Sequence, residues 1–361
     1  MIKINKINTK KIAEYFTLWQ VQMGILIFHL VLSIIGAYNY LYNFNIAEKY
    51  LLIYTSDKQQ VTAKSASHSI ENYINSTINQ LHSLVFSFTE IDENSRVDTD
   101  LTRKEFATYI KENKGPISEI AFYNEKGDLK ILENAAHNKE GESHNFSQSE
   151  FFLWSKDPKN TNKVYISTPF TGKIGTSKDK VIMIIASPVY FGSQFKGTVS
   201  IRFFLQDFSN SFVYPLSTKL YENALIVNSD GLVITGNSYF VNKNLIDYAK
   251  NKNWKQSKAF INTFKGVLKK DRSDVTWVFQ YPKDVPRNYL VSSSKIDIPN
   301  TDRDLYLIIS SSRNEALKPI STLRYYGSLG IWASMAITFI GGALYIGLRQ
   351  LSISKTKNKQ K

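Results

Sequence analysis

The side chains able to do chemistry are scattered through this 361-residue chain. His68, His82, His137 and His144 fall at no spacing that sets two imidazoles on one metal, an HExxH pair included, and cysteine is absent. Thiolate metal sites and disulfides are thereby excluded, and a metal centre is not expected. Asp297, Asp302 and Asp304 gather around Pro299, the composition of a solvated loop rather than of a placed acid and base. There is no GxSxG elbow and no glycine loop shaped for phosphate; GLVITG at 231–236 carries the glycines of a turn. The chain reads as a protein without catalysis and without a cofactor.

Two apolar stretches, residues 18–42 and 325–348, bracket a long polar segment. Each is near or above the roughly 20 residues a helix needs to cross hydrocarbon, and neither core holds an acid or a lysine. The first is too long, and too poorly followed by a small-residue cleavage site, for a signal peptide, so it is expected to stay in the mature protein. Lys3, Lys6, Lys10 and Lys11 precede it against Glu14 alone, and Arg349, Lys355, Lys357, Lys359 and Lys361 follow the second. The positive-inside bias puts both ends in the cytoplasm. Trp19 and the tyrosines at 38, 40, 42, 325 and 326 stand where amphipathic rings settle at membrane interfaces. Gly327, Gly330, Ala333, Ser334, Gly341 and Gly342 would let a neighbouring helix approach the second stretch closely. The expected location is a cytoplasmic membrane with two spans, with the main domain in a periplasm or outside the cell.

The net charge is +14, and removing the +8 of the two tails leaves about +6 spread over the middle without a basic stripe. Nucleic acid is therefore an unsuitable partner, since a duplex binder needs a concentrated basic face. With 13% aromatic residues, the middle has the material for packed cores and not for a disordered stalk.

Residues 46–88 contain neither proline nor glycine, and apolar positions recur at helical spacing from Leu51 to Phe88. This predicts one long helix. A short helix over 102–111 follows, with Thr102 and Glu105 spaced as a capping box. The period then changes to two, predicting strands at 117–123, 129–132, 164–168, 181–188 and 197–204. A connecting helix is expected at 206–216. A second, smaller sheet is expected from 223–228, 232–235, 275–281, 289–294 and 305–311, and a helix at 314–325 leads into the second span. NEKGDLKI at 124–131 and NSDGLVIT at 228–235 repeat one polar, glycine-bearing turn between two strands.

Three segments carry a family likeness: FSQSEFFLWS at 146–155, VYISTPF at 164–170 and ASPVYFGSQFKGTVSIRF at 186–203. With the flanking spans, the chain resembles the extracellular double Cache sensory domains of bacterial chemoreceptors, sensor kinases and cyclase receptors, over roughly residues 44–320. VYISTPF is similar to the family's tyrosine-x-serine-x-proline strand, and the third segment to its proline, turn and glycine-led strand. The resemblance implies an α+β fold: a membrane-anchored double Cache domain, with two PAS-like antiparallel sheets mounted on a long N-terminal helix and flanked by two transmembrane helices. The corresponding division is a basic tail (1–17), a span (18–42), the long helix (44–90), a membrane-distal module (91–215), a membrane-proximal module (216–320), a second span (325–348) and a basic tail (349–361).

The resemblance further implies a small-molecule pocket over the distal sheet, lined by Tyr123, Phe152, Trp154, Tyr165, Ser167 and Tyr190. Arg202 stands where amino-acid and amine binders of the family commonly carry an aspartate. A cation would be repelled there, whereas a guanidinium fork favours a carboxylate or phosphate. The family's arginine-x-tryptophan-tyrosine pattern is also absent from 146–155, which argues against amino acids. The expected function is extracytoplasmic sensing of an anionic small molecule, a carboxylate in particular. The family implies a homodimer through the long helix. Only about a dozen residues follow 348, so the signal is expected to pass to a separate membrane-embedded or cytoplasmic output protein. The competing reading is a membrane-anchored scaffold that signals nothing.

Overall fold

One continuous helix, α1 (Thr9–Glu90), runs from the first apolar stretch through the long helix expected over 46–88. From residue 37 to 90 neither proline nor glycine interrupts its hydrogen bonding. The structure is a computed structural model that describes residues 9–90, 99–112, 115–134, 144–217, 223–236, 239–251, 257–269, 273–279, 287–301 and 303–358. His137, Asp302 and the tail residues Lys3, Lys6, Lys359 and Lys361 lie outside these.

The chain divides into two compact units. The first combines Met1–Ile53 with Leu317–Lys361. Within it the Tyr40 hydroxyl donates to the Leu323 carbonyl at 2.8 Å, and Gly327 lies so close under the Tyr40 ring that a Cβ there would collide with it. Gly342 packs likewise on Leu26, whereas around Gly330 and Gly341 a Cβ would meet nothing within 4 Å. Two of the small residues expected to receive a partner helix thus pack inside the chain.

The second unit, Tyr54–Ala316, holds two antiparallel sheets. After α2 (Thr99–Glu112) come β1 (Ile117–Asn124), β2 (Leu129–Asn134), α3 (Glu150–Lys156), β3 (Tyr165–Ile166), β4 (Phe170–Thr171), β5 (Val181–Phe191) and β6 (Gln194–Phe204). They form a sheet in the order β2-β1-β6-β5-β3, with β4 on β5. The chain continues through α4 (Leu205–Phe208), β7 (Asn223–Asn228), β8 (Val233–Thr235), α5 (Leu245–Asn251), α6 (Ser257–Lys269), β9 (Ser273–Phe279), β10 (Arg287–Ile296) and β11 (Leu305–Ser312). The second sheet runs β8-β7-β11-β10-β9, and α7 (Arg313–Asn358) follows as a single helix with Pro319 inside it.

Alternation along β6 decides what each face of the first sheet does. Val199, Ile201 and Phe203 join Ile70, Ile74, Ile78 and Leu81 of α1 in one buried cluster. Each such aliphatic side chain contributes about 1.5–3 kcal/mol of burial. Thr198, Ser200 and Arg202, one residue out of phase, point to the opposite face, where Tyr123 and Ala186 pack with Phe151 and Phe152 of α3. Ala224, Ile226, Leu307 and Ile309 of the second sheet belong to the same cluster as Val199 and Ile70, and polar groups add to the contact with α1: Gln59 donates its amide to the carbonyls of Leu290 and Ile309 and accepts from Ser311, and Ser67 bonds Ser294 at 2.7 Å.

The repeated turn is structural. Asn124 accepts the backbone N–H groups of Lys126 and Asp128 on its side-chain oxygen, and Asn228 does the same for Asp230 and Leu232. Gly127 and Gly231 follow at φ 83 and 87, a conformation that glycine adopts freely.

Elsewhere the elements differ from the sequence expectation. The short helix starts at Thr99, so Thr102 is internal and Glu105 accepts from Ser87 of α1 instead of closing a capping box. The expected strand 164–168 shrinks to β3 because the Ser167 hydroxyl, in place of a main-chain carbonyl, takes the Ile184 N–H. The helix expected over 206–216 is α4 followed by a π turn and a 3₁₀ turn, as Pro215 can supply no N–H to a continuing helix. The strand expected at 181–188 runs on to Phe191 past a bulge at Val189 and Tyr190.

Candidate functional site

A cavity of about 240 Å³ opens over the Arg202 face of the first sheet. Phe146, Phe151, Tyr165, Phe170, Ile174 and Ile184 make it predominantly apolar. Its polar wall consists of Ser149, Glu150, Ser167, Thr168, Lys173 and Arg202. Helix α3 supplies one side, β3 to β5 the other, and β6 the floor.

Arg202 organises that floor. Antiparallel register places it between Glu119 of β1 and Ile184 of β5, and directly opposed residues share a face. Its Nη1 donates to Glu119 Oε2 at 2.7 Å, and its Nη2 to the Tyr123 hydroxyl at 2.6 Å. Both ion-pair side chains are out of solvent, at 3% and 0% exposure. Burial alone would lower the guanidinium pKa, but Tyr123 and Glu119 more than offset it and hold Arg202 charged. The Arg202 Nε is buried and has no hydrogen-bond partner, and the same holds for Ser200 Oγ and Thr198 Oγ1 on the same face.

Glu119 in turn staples the segment 172–180 to the sheet. Its carboxylate accepts from Thr176 Oγ1 at 2.9 Å and from both the backbone N–H and the hydroxyl of Ser177, at 3.1 and 2.9 Å. Gly175 (φ 63) lies against that carboxylate with no room for a Cβ. The staple presents Lys173 and Ile174 to the cavity.

The expected site residues divide into two groups. Tyr165, Ser167 and Arg202 line the cavity, and Tyr123 lies beneath it, fully buried between Phe146 and Phe151. Burial, followed by the neighbouring Glu150, pushes the Tyr165 hydroxyl pKa up. Phe152, Trp154 and Tyr190 do not line it. Phe152 is core against Phe195, Trp154 packs on Tyr165, and the Tyr190 hydroxyl donates to the Lys156 carbonyl at the end of α3. Arg202 is also not an open fork, since both terminal nitrogens are already bonded.

Sequence reasoning missed Glu119, Glu150 and Lys173. Glu150 ion-pairs with Arg303, in the loop before β11, at 3.0 Å. Lys173 is exposed and forms no ion pair among the described residues, although Glu150 lines the same cavity. Glu119 and Tyr123 stand four residues apart, so period two along β1 sets them on one side, a signal that went unused. Among the described residues no group of three His, Asp or Glu side chains is gathered as a metal site.

Two antiparallel sheets following a long N-terminal helix, with a pocket over one of them, define an α+β domain. The Cache domain family model, in its double form, matches residues 45–320, and the chain belongs to that family. No curated protein matches it in sequence. Among solved structures it is similar to the ligand-binding domain of the Pseudomonas fluorescens chemoreceptor CtaA in complex with L-alanine, at 12% identity and TM-score 0.52, covering 73% of this chain and 99% of that one. The amino-acid chemoreceptor PctC of Pseudomonas aeruginosa in complex with GABA aligns at 12% identity and TM-score 0.51, over 71% and 99%. The Campylobacter jejuni chemoreceptor Tlp3 domain with L-norvaline aligns at 12% identity and TM-score 0.53, over 75% and 96%. These likenesses concern the fold.

Proposed function

We propose that the unit Tyr54–Ala316 is an extracytoplasmic sensor that takes a small carboxylate-bearing molecule into the cavity over the first sheet and relays its occupancy through two membrane helices to an output protein. The observation that carries this reading is the unspent Nε of a charged, buried arginine in the wall of an apolar enclosure. An unpaired buried donor costs about 1–3 kcal/mol, and a ligand oxygen would recover it. The ligands named with the similar chemoreceptor domains, L-alanine, L-norvaline and GABA, all carry a carboxylate.

In this reading the module 91–215 is distal to the membrane and 216–320 proximal, and α1 and α7 supply the spans at 18–42 and 325–348. Both helices contain stretches long and apolar enough to cross a membrane, and those stretches are unburied. A line of contacts supports the relay: Glu150 at the cavity bonds Arg303 before β11, and Ser311 of β11 donates to Gln59 of α1.

The test uses the full chain in detergent, with thermal shifts against carboxylates, phosphates, amino acids, amines and purines. A carboxylate should raise the midpoint, and Thr168→Trp, which fills the cavity, should abolish the rise. A folded chain that answers none of these compounds would sink the reading in favour of a protein-binding scaffold. The absence of cysteine allows a direct check of placement: a single cysteine introduced in 54–316 should react with a membrane-impermeant maleimide on intact cells or spheroplasts.

A further inference from the structure

We infer that Lys173 is the charge that selects the ligand, and that the ligand class is an apolar-bodied monocarboxylate without an ammonium group. The inference rests on the sensing reading above and narrows it. Four charged side chains line or floor the cavity, and three are already committed. Arg202 and Glu119 neutralise one another at 2.7 Å, and Glu150 is held by Arg303 at 3.0 Å. Lys173 remains, on the cavity wall and exposed at its edge, with no ion-pair partner among the described residues. The cavity therefore carries one uncompensated positive charge.

Its position is built rather than incidental. Lys173 precedes the stapled turn Gly175–Ser177, and three hydrogen bonds from that turn to Glu119 fix where the strap runs. Next to it Ile174 is buried in the aromatic cluster of Tyr123, Phe151 and Tyr165. A ligand carboxylate reaching Lys173 and the free Arg202 Nε would leave its hydrocarbon part among Ile174, Ile182, Ile184 and Phe151. An ammonium would find no uncommitted carboxylate, since Glu150 already pairs with Arg303 and the hydroxyls of Ser149, Ser167 and Thr168 are uncharged. A second carboxylate would find no further cation on the wall.

Three probes with one branched skeleton separate these chemistries: 4-methylpentanoate, L-leucine and 3-methylbutylamine. Calorimetric titration of the full chain in detergent should show 4-methylpentanoate binding about tenfold or more tighter than L-leucine, and no binding of the amine. Lys173→Glu should weaken 4-methylpentanoate by about tenfold or more, while Lys178→Glu, an exposed change on the same strap away from the wall, should leave it unchanged. Equal or tighter binding of L-leucine, or an unaltered affinity in Lys173→Glu, overturns the inference and leaves the sensing reading standing. Binding of none of the three overturns it as well; the sensing reading falls with it only if the broader compound panel is also silent.

Discussion

Arg202 Nη1 and Glu119 Oε2 stand 2.7 Å apart on neighbouring strands, both out of solvent. The pair does two things at once: it floors the cavity, and through Glu119 it ties down the strap that forms the cavity wall. Its worth lies less in net attraction, which desolvation largely cancels, than in the cost of leaving either partner alone.

Glu119→Gln should therefore be strongly destabilising, by about 3–5 kcal/mol, because a buried guanidinium loses its counter-charge. Adding Arg202→Met to that variant should recover a large part of the loss. Thermal unfolding of the full chain in detergent checks both. A single variant that melts like the unmodified chain would mean that the pair does not form.

Gly175→Ala tests the strap separately from the pair. The position has φ 63 and faces the Glu119 carboxylate without space for a methyl group. Backbone strain of this kind costs about 1–3 kcal/mol. Trypsin has Lys173, Lys178 and Lys180 as targets in the strap, so limited proteolysis should cut there faster in the variant. Unchanged cleavage would show that Glu119 does not hold the strap.

The sequence made the strands and the long helix legible by pattern: alternation along β6, an unbroken apolar run opening β5, and a four-residue rhythm from Ile70 to Leu81. It also singled out Arg202 by residue type. It gave no hint of Glu119 as its partner, since that contact joins residues 83 apart through strand register. Phe152, Trp154 and Tyr190 fall outside the cavity lining, a distinction the sequence does not carry because aromatic side chains serve cores and pockets equally and only packing separates the two uses. Helix α6 was legible and went unread, since Phe260, Phe264, Val267 and Leu268 recur at helical spacing, whereas the seven residues of α5 are too few to set a period. The strap 172–180 has no period at all, being shaped by Gly175, Asp179 at φ 61 and hydrogen bonds to a distant carboxylate.

His82 gives α1 a pH response. Partial burial lowers its pKa below the ordinary 6.5, so near and below that value the unfolded chain binds the proton more readily than the folded one. Stability contributed by the neutral imidazole is present above the unfolded pKa and falls as pH drops toward the folded one. Replacing His82 with Gln should flatten the decline of the thermal midpoint between about pH 7.5 and 5.5. An equal slope in both proteins would assign the decline to other groups.

The polar seam between α1 and the second sheet yields the last prediction. Gln59 is fully buried and spans two strands, donating to Leu290 of β10 and Ile309 of β11 while its oxygen accepts from Ser311. Gln59→Leu keeps the approximate volume but leaves a hydroxyl without its acceptor and two carbonyls without this donor. The expected cost is about 1–3 kcal/mol, the desolvation penalty of orphaned groups. Val61, two residues on, is 68% exposed, and Val61→Ser should change stability by no more than about 0.5 kcal/mol. Amide exchange measured on both variants locates the effect: protection should fall along β10 and β11 in Gln59→Leu and stay unchanged in Val61→Ser. If protection in the first sheet fell just as far, α1 and the two sheets would be unfolding as one block, and the Gln59 bonds would be stabilising the whole unit instead of fixing the helix to the second sheet.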